Sequence, residues 1–207
     1  MVAFAQHFAA GEFEECFGFS SGQWVGEDEG HLPGDPAVVV VAERSRLVSV
    51  SSVWAGSVAA SDALWDQHLE ASLRYRRCLI PLTSFTCAAG RSLVNAVPKR
   101  KLLFVAAGIL AWDSVHRREV CLALGLRTLP DISALVPLAV PPSEFLSWAG
   151  GRAKSQMFSL MEDYNRNDLV TVSCVGVHRS WHERRDEDLP VFGDYPSSRE
   201  LGFGNYA

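Results

Sequence analysis

The chain has no CxxC pair, no internal repeat, no low-complexity tract and no basic leader followed by an apolar core. Each absence removes a class of protein. Its five cysteines (Cys16, Cys78, Cys87, Cys121 and Cys174) are odd in number and widely spaced, which argues against both a disulfide framework and a zinc knuckle. Cys78, Cys121 and Cys174 sit in apolar runs and read as small buried hydrophobes of a reducing compartment. No stretch reaches the about 18 apolar residues of a membrane-crossing helix, so no membrane association is expected and the protein reads as cytoplasmic. Positive charge is also in short supply. The formal net charge is −5, which speaks against a surface basic all over, because non-specific nucleic-acid binding rests on Lys and Arg neutralising phosphates. The strand and helix alternation of a nucleotide-binding sheet is missing as well.

What is present is apolar and strand-rich. With 207 residues and 48% hydrophobic content the chain is long enough for one sizeable core, and a single domain over 1–207 is expected. Residues 8–19 carry Phe13, Cys16 and Phe17 at helical spacing, ended by Gly18. The turn-rich stretch 26–36 leads into AVVVVAE, a buried strand, and RSRLVSVSSVWAG continues as a second; the short polar link predicts a hairpin. Residues 61–75 place Leu64, Trp65, His68, Leu69 and Leu73 on one helical face behind a Ser61-Asp62 N-cap. RRCLIPLTSF predicts a strand closed by Pro81. Further strands are expected at 101–113, with Gly108 inside, at 118–128 and at 169–177, and a helix at 141–151 begun by Pro and Ser and ended by Gly. The sum is an α+β domain with a strand-dominated, curved or barrel-like antiparallel sheet and a few peripheral helices.

Several constellations invite chemistry. Basic residues gather at Arg74, Arg76 and Arg77, at Lys99, Arg100 and Lys101, and at Arg117 and Arg118; solvated strand ends compete with a nucleic-acid groove as their explanation. His178 and His182 stand four apart beside Trp181 and Glu183, but no third ligand can be named and the spacing is not that of a zinc hydrolase, so no metal and no cofactor are expected. Cys87 could act as a nucleophile with His68 or His116 as base, against the simpler reading of an idle thiol. Of the six tryptophans, Trp65, Trp112 and Trp148 fall in apolar periodic segments and read as core, whereas Trp24 and Trp181 have polar surroundings.

The stretch 74–90, RYRRCLIPLTSFTCAAG, resembles the RRCL(I/V)PADGFYEW signature of the SOS response-associated peptidase (SRAP) family, matching it at Arg76, Arg77, Cys78, Leu79, Ile80, Pro81 and Phe85. Weaker similarities follow in family order: HLPGDPAVVVV, KLLFVAAGILAWDS, PDISALVPLAVPPSEFLSWAGG and LVTVSCVGVHRSWHERRDEDLPVF. Members of that family capture abasic sites in single-stranded DNA through an N-terminal cysteine whose amine and thiolate close a ring on the sugar aldehyde. The resemblance implies the family's fold and places its reactive groups on residues that cannot perform this chemistry. Val2 stands for the cysteine, Ser57 opens the segment of the asparagine, arginine and glutamate, Cys87 stands for a further glutamate, and Ser133 and Leu135 for a histidine and an arginine; Pro137 alone is kept.

Loss of one general acid or base costs about 10²–10⁴-fold in rate, and loss of the nucleophile as well leaves nothing to act as a unit. The sequence therefore predicts a SRAP-like pseudoenzyme that works by binding, either to a protein partner or to single-stranded DNA, the latter through Arg74, Arg76, Arg77, Lys99, Arg100 and Lys101. The alternative is a residual abasic-site lyase of the DNA damage response that uses the Val2 α-amine, of ordinary pKa about 7.7–8.0, as a Schiff-base nucleophile.

Overall fold

The valine-rich run and its successor form the expected hairpin: β2 (Pro36–Glu43) and β3 (Arg46–Ala59) pair antiparallel along their whole shared length, from Pro36 opposite Val53 to Glu43 opposite Arg46. They belong to a computed structural model that describes residues 2–20, 31–89, 92–100, 103–128, 134–151, 157–174 and 191–195. Three further long strands, β4 (Arg77–Leu82), β7 (Phe104–Asp113) and β8 (Arg118–Thr128), complete a ring in the order β4-β2-β3-β8-β7, since β7 pairs with both β8 and β4. Only β3 and β8 run parallel. A bulge at Trp54–Gly56, with Gly56 at φ 120°, bends β3 there; this backbone conformation is open to glycine and strained for other residues.

Strand alternation sorts the apolar side chains to two faces. Val39, Cys78, Ile80, Ala106, Leu110, Cys121 and Ala123 point into the ring, and the small residues among them suit the narrow interior of a five-stranded barrel. Gly108 lies in that interior, where an added Cβ would come within 2.7–2.9 Å of Ile80 and Cys78. Val38, Val40, Leu79, Ala107, Ile109, Leu122 and Leu124 point outward and are covered by helices. These are α1 (Ala10–Phe17), α2 (Ala60–Trp65), α3 (Gln67–Tyr75), α4 (Phe145–Ala149) and α5 (Met157–Asp168), which contribute Phe13, Ala63, Leu73, Trp148 and Met161. Trp148 also donates from Nε1 to the Cys78 carbonyl at 2.9 Å, pinning α4 to β4.

A second antiparallel sheet, β1 (Val2–Ala5), β5 (Ser84–Ala89), β6 (Ser92–Pro98) and β10 (Leu169–Cys174), brings Phe4, Phe85, Cys87 and Val94 onto the inner core at one end of the ring. At that end β9 (Ala134–Pro137) extends the large sheet beyond β8, and at the other β11 (Phe192–Gly193) adds to the edge of β7. Among the described residues no helix is long and apolar enough to cross a membrane.

The ring has one weak seam. β2 and β4 share a single registered pair, Val40 opposite Leu79. Two residues further on, Val38 would face Pro81, which has no N–H to offer. The side chain of Gln6, 1% exposed, fills the gap: Nε2 donates to the carbonyls of Val38 (2.7 Å) and Pro81 (3.0 Å), and Oε1 accepts from the Val38 N–H (2.8 Å).

Several expectations require correction. Pro81 does not close its strand but lies inside β4, paired with Val105; the residue after Leu82 is where the chain crosses to the second sheet. The helix over 61–75 is two helices broken at Asp66. That residue, and not Ser61 or Asp62, is the side-chain cap, accepting from the N–H groups of His68 and Leu69. The break turns Trp65 away from the core to 89% exposure, although Trp148 is buried as expected. β1, β6, β9 and α5 had no strong periodic signal.

Replacing Gln6 by Ala strands three buried backbone groups and is expected to destabilise the fold by about 2–4 kcal/mol. Trp65→Ala, by contrast, should lie within about 0.5 kcal/mol of the parent. Urea unfolding of both variants checks the pair of values.

Candidate functional site

β1 brings the start of the chain against β5, with Val2 opposite Cys87 and Phe4 opposite Phe85. β6 pairs with the other edge of β5, β9 of the large sheet packs against β5, and the backbone of Leu135 lies against the Cys87 thiol. Ser57, near the end of β3, belongs to the same end of the barrel: Ala59 pairs with Gly125, whose other neighbour is Pro137. Four positions far apart in sequence, Val2, Ser57, Cys87 and Leu135, thus gather at one end. Ser133 lies outside the described residues.

What gathers there is chemically quiet. Cys87 is 2% exposed, its Sγ lies 3.7 Å from the Val94 carbonyl and against the Leu135 backbone, and burial pushes the thiol above its ordinary pKa. Ser57 Oγ is buried without a hydrogen-bond partner among the described residues. Beneath β1 the space is taken by rings: Phe4 stacks on His31 at 4.8 Å and meets Trp54 edge-on at 4.6 Å, and Trp54 meets Phe85 edge-on at 6.4 Å. Burial lowers the His31 pKa and favours its neutral form. A buried neutral thiol that no described histidine or carboxylate contacts is poorly equipped for nucleophilic attack. The histidines considered as bases for Cys87 are elsewhere: His68 bonds Asp194 (3.1 Å) and His116 bonds Asp113 (2.6 Å), both at the opposite end of the barrel.

The basic residues also divide. β4 runs from Arg77 to Leu82 before the chain crosses to β5, so Arg77 stands about 17 Å, five strand residues, from the end that holds Cys87. Arg76 and Arg77 therefore do not share a cleft with Val2 and Cys87. Arg76 pairs with Glu119 (2.5 Å) with its guanidinium 3.9 Å over the Tyr195 ring, and Tyr195 donates to the same Glu119 oxygen at 3.0 Å. Burial beside Glu119 pushes the Tyr195 phenol well up. Arg77 donates from Nε to the Leu73 carbonyl and lies 4.7 Å over Trp148; burial lowers its pKa. Arg74 is exposed and paired with Glu70 at 2.6 Å. Lys99 donates to the Arg166 carbonyl (2.9 Å) at the end of α5, Arg100 is exposed beside it, and Lys101 lies outside the described residues.

The likeness to solved structures concerns this same arrangement of strands. A protein from Bacteroides thetaiotaomicron superposes with a TM-score of 0.63 at 10% identity, covering 88% of this chain and 94% of that one. A phage-related protein from Bordetella bronchiseptica gives 0.58 at 11%, covering 85% and 95%. A second protein from that organism gives 0.57 at 10%, covering 84% and 98%. The chain shares their fold. Identities this low carry fold and no function. No family model matches the chain, and no curated protein matches it.

Sequence reasoning missed Gln6, Glu119, Tyr195 and Asn165. Asn165 accepts from the Ala139 N–H and donates to the Pro137 carbonyl, both at 2.7 Å, and so holds β9 beside Cys87. Such polar residues give no periodic signal, because their partners are remote in sequence. Among the described residues no group of three His, Cys, Asp or Glu could hold a metal ion; His178, Trp181, His182, Glu183 and Trp24 lie outside them.

Site-resolved alkylation with iodoacetate at pH 8 should leave Cys87 unlabelled in the folded protein and label it in guanidinium. Rapid labelling in the native state would restore Cys87 as a candidate nucleophile.

Proposed function

We propose that this chain is a catalytically inactive SRAP-like protein that acts by binding a protein partner. One observation carries the reading. The positions onto which the family resemblance lays its reactive groups, Val2, Cys87 and Leu135, meet at one place in the fold, yet carry a valine, a buried neutral thiol and a leucine. Convergence of these positions supports a common architecture, and their residue types support the loss of its chemistry.

Between the two binding modes, the placement of charge favours protein over single-stranded DNA. Of the cations expected to hold phosphates, Arg74 and Arg76 are paired with carboxylates, Arg77 lies against Trp148 and Lys99 caps a helix. Arg76, Arg77 and Lys99 would have to abandon an internal partner, and Arg74 an exposed ion pair, to meet a phosphate; Arg100 is exposed and Lys101 lies outside the described residues.

Incubation with an abasic single-stranded oligonucleotide followed by borohydride is expected to yield no covalent adduct. An adduct that disappears when the N-terminus is blocked overturns the inactive reading and establishes the Val2 α-amine as a lyase nucleophile. In parallel, the affinity for an unmodified single-stranded oligomer at low salt is expected to be about millimolar or weaker; micromolar binding that weakens with salt would restore the DNA mode.

A further inference from the structure

The end of the barrel away from Cys87 carries two protruding turns. One is the two-residue link of the β2–β3 hairpin, Arg44-Ser45; the other joins β7 to β8 over residues 114–117. Among the described residues three non-glycines have left-handed φ, and all lie in these turns: Arg44 (45°), Ser45 (69°) and Arg117 (50°). Asn-Gly would satisfy the hairpin turn without that strain, and backbone strain held at a surface tip points to a use for the side chains it presents.

The charges agree. Arg76 and Arg118 at this end face Glu119 and Asp113, and Arg74 faces Glu70, whereas Arg44, Arg46 and Arg117 are exposed and form no ion pair with a described residue. The second turn is held by Asp113, which accepts from the N–H groups of Val115 and His116 and bonds the His116 ring, fixing the backbone that presents Arg117. The first turn overhangs a cavity of about 290 Å³ lined by Ala42, Arg44, Ser45, Leu146, Ser147 and Gly150, where α4 ends. Leu146 is 44% exposed there, and Val115 is 59% exposed beside Arg117. Register sets the spacing. Arg46 is seven residues before Val53 and Arg118 two before its partner Val120, so the hairpin tip stands about five residues, or about 17 Å, beyond the second turn.

We infer that this end of the barrel is a docking surface for an extended acidic segment of a partner protein. One apolar side chain of that segment seats on Leu146 under the β2–β3 turn, with flanking carboxylates on Arg44 and Arg46 and a further carboxylate reaching Arg117. A bidentate guanidinium suits a carboxylate, and an aliphatic floor suits a protein side chain. Nucleic acid fits less well, because these arginines stand on two separate tips and not along one continuous track for a phosphate backbone. The inference rests on the binding role proposed above and gives the partner its chemistry.

The test is fluorescence anisotropy with a labelled peptide EELEELEE, its serine counterpart EESEESEE, and a single-stranded dT20 oligomer, on the full chain. Arg44→Glu and Arg46→Glu are each expected to weaken EELEELEE binding by about tenfold, while Arg100→Glu, the same charge change in the bend after β6, leaves it within about twofold. Replacing Arg44-Ser45 by Asn-Gly should raise Tm and still lose the peptide, which separates docking from folding. EESEESEE should bind more weakly than EELEELEE. Equal loss in Arg100→Glu, no loss in Arg44→Glu, or tighter binding of dT20 through the same arginines would each overturn the assignment. The borohydride assay reads the opposite end of the barrel, so its outcome and this one are separable.

Discussion

The closure of the barrel turns on one side chain. β2 and β4 meet at a single registered pair, and the position next to it holds a proline that cannot donate. The Gln6 carboxamide supplies what the ladder lacks, donating to a carbonyl on each strand and accepting from the Val38 N–H. Buried backbone polar groups must be paired, so the ring closes only with the start of the chain in place. The same insertion sets β1 against β5 and brings Val2 opposite Cys87. Integrity of the fold and composition of the candidate site are thus tied to one N-terminal segment.

Around this frame the molecule has two ends of different character. One is apolar and closed, with Phe4, Trp54 and Phe85 in edge-on contact and a thiol that burial keeps protonated. The other is charged, with Arg76, Glu119 and Tyr195 interlocked, the His116–Asp113 pair in the turn, and free arginines at the tips. An apolar end packed with rings is suited to holding structure, and a charged end with overhanging turns is suited to meeting another molecule. Hydrogen bonds from the turn's own N–H groups and from His116 to the Asp113 carboxylate also fix geometry, which is how the turn bearing Arg117 keeps its shape.

Much of the fold was legible in the chain. The β2–β3 hairpin, β7, β8 and α4 follow from β-branched runs, turn residues and Pro/Gly punctuation, signals that are local. The misses share a cause. Trp65 has helical spacing with the core residues around it, but Asp66 caps a new helix and breaks the phase, so the ring faces solvent. Pro81 reads as a terminator until Gln6, 75 residues away in sequence, is seen to fill the bond it cannot make. The candidate site was legible only as a set of positions. Arg76 and Cys78 are two residues apart, yet they serve a charged mouth and a buried core, because Arg76 is the residue that ends α3, outside the strand, whereas Cys78 lies within β4 and points into the ring.

The sequence by itself determined that the chain is a strand-dominated α+β protein, for which residue type and local pattern are enough, and it set a valine, a serine, a cysteine and a leucine at Val2, Ser57, Cys87 and Leu135. Tertiary structure alone decided which of these residues meet, that Arg76 and Arg77 stand a barrel length from Cys87, and which cations form no ion pair among the described residues. Those are properties of register and closure. They depend on contacts between segments remote in the chain, and no local pattern encodes them.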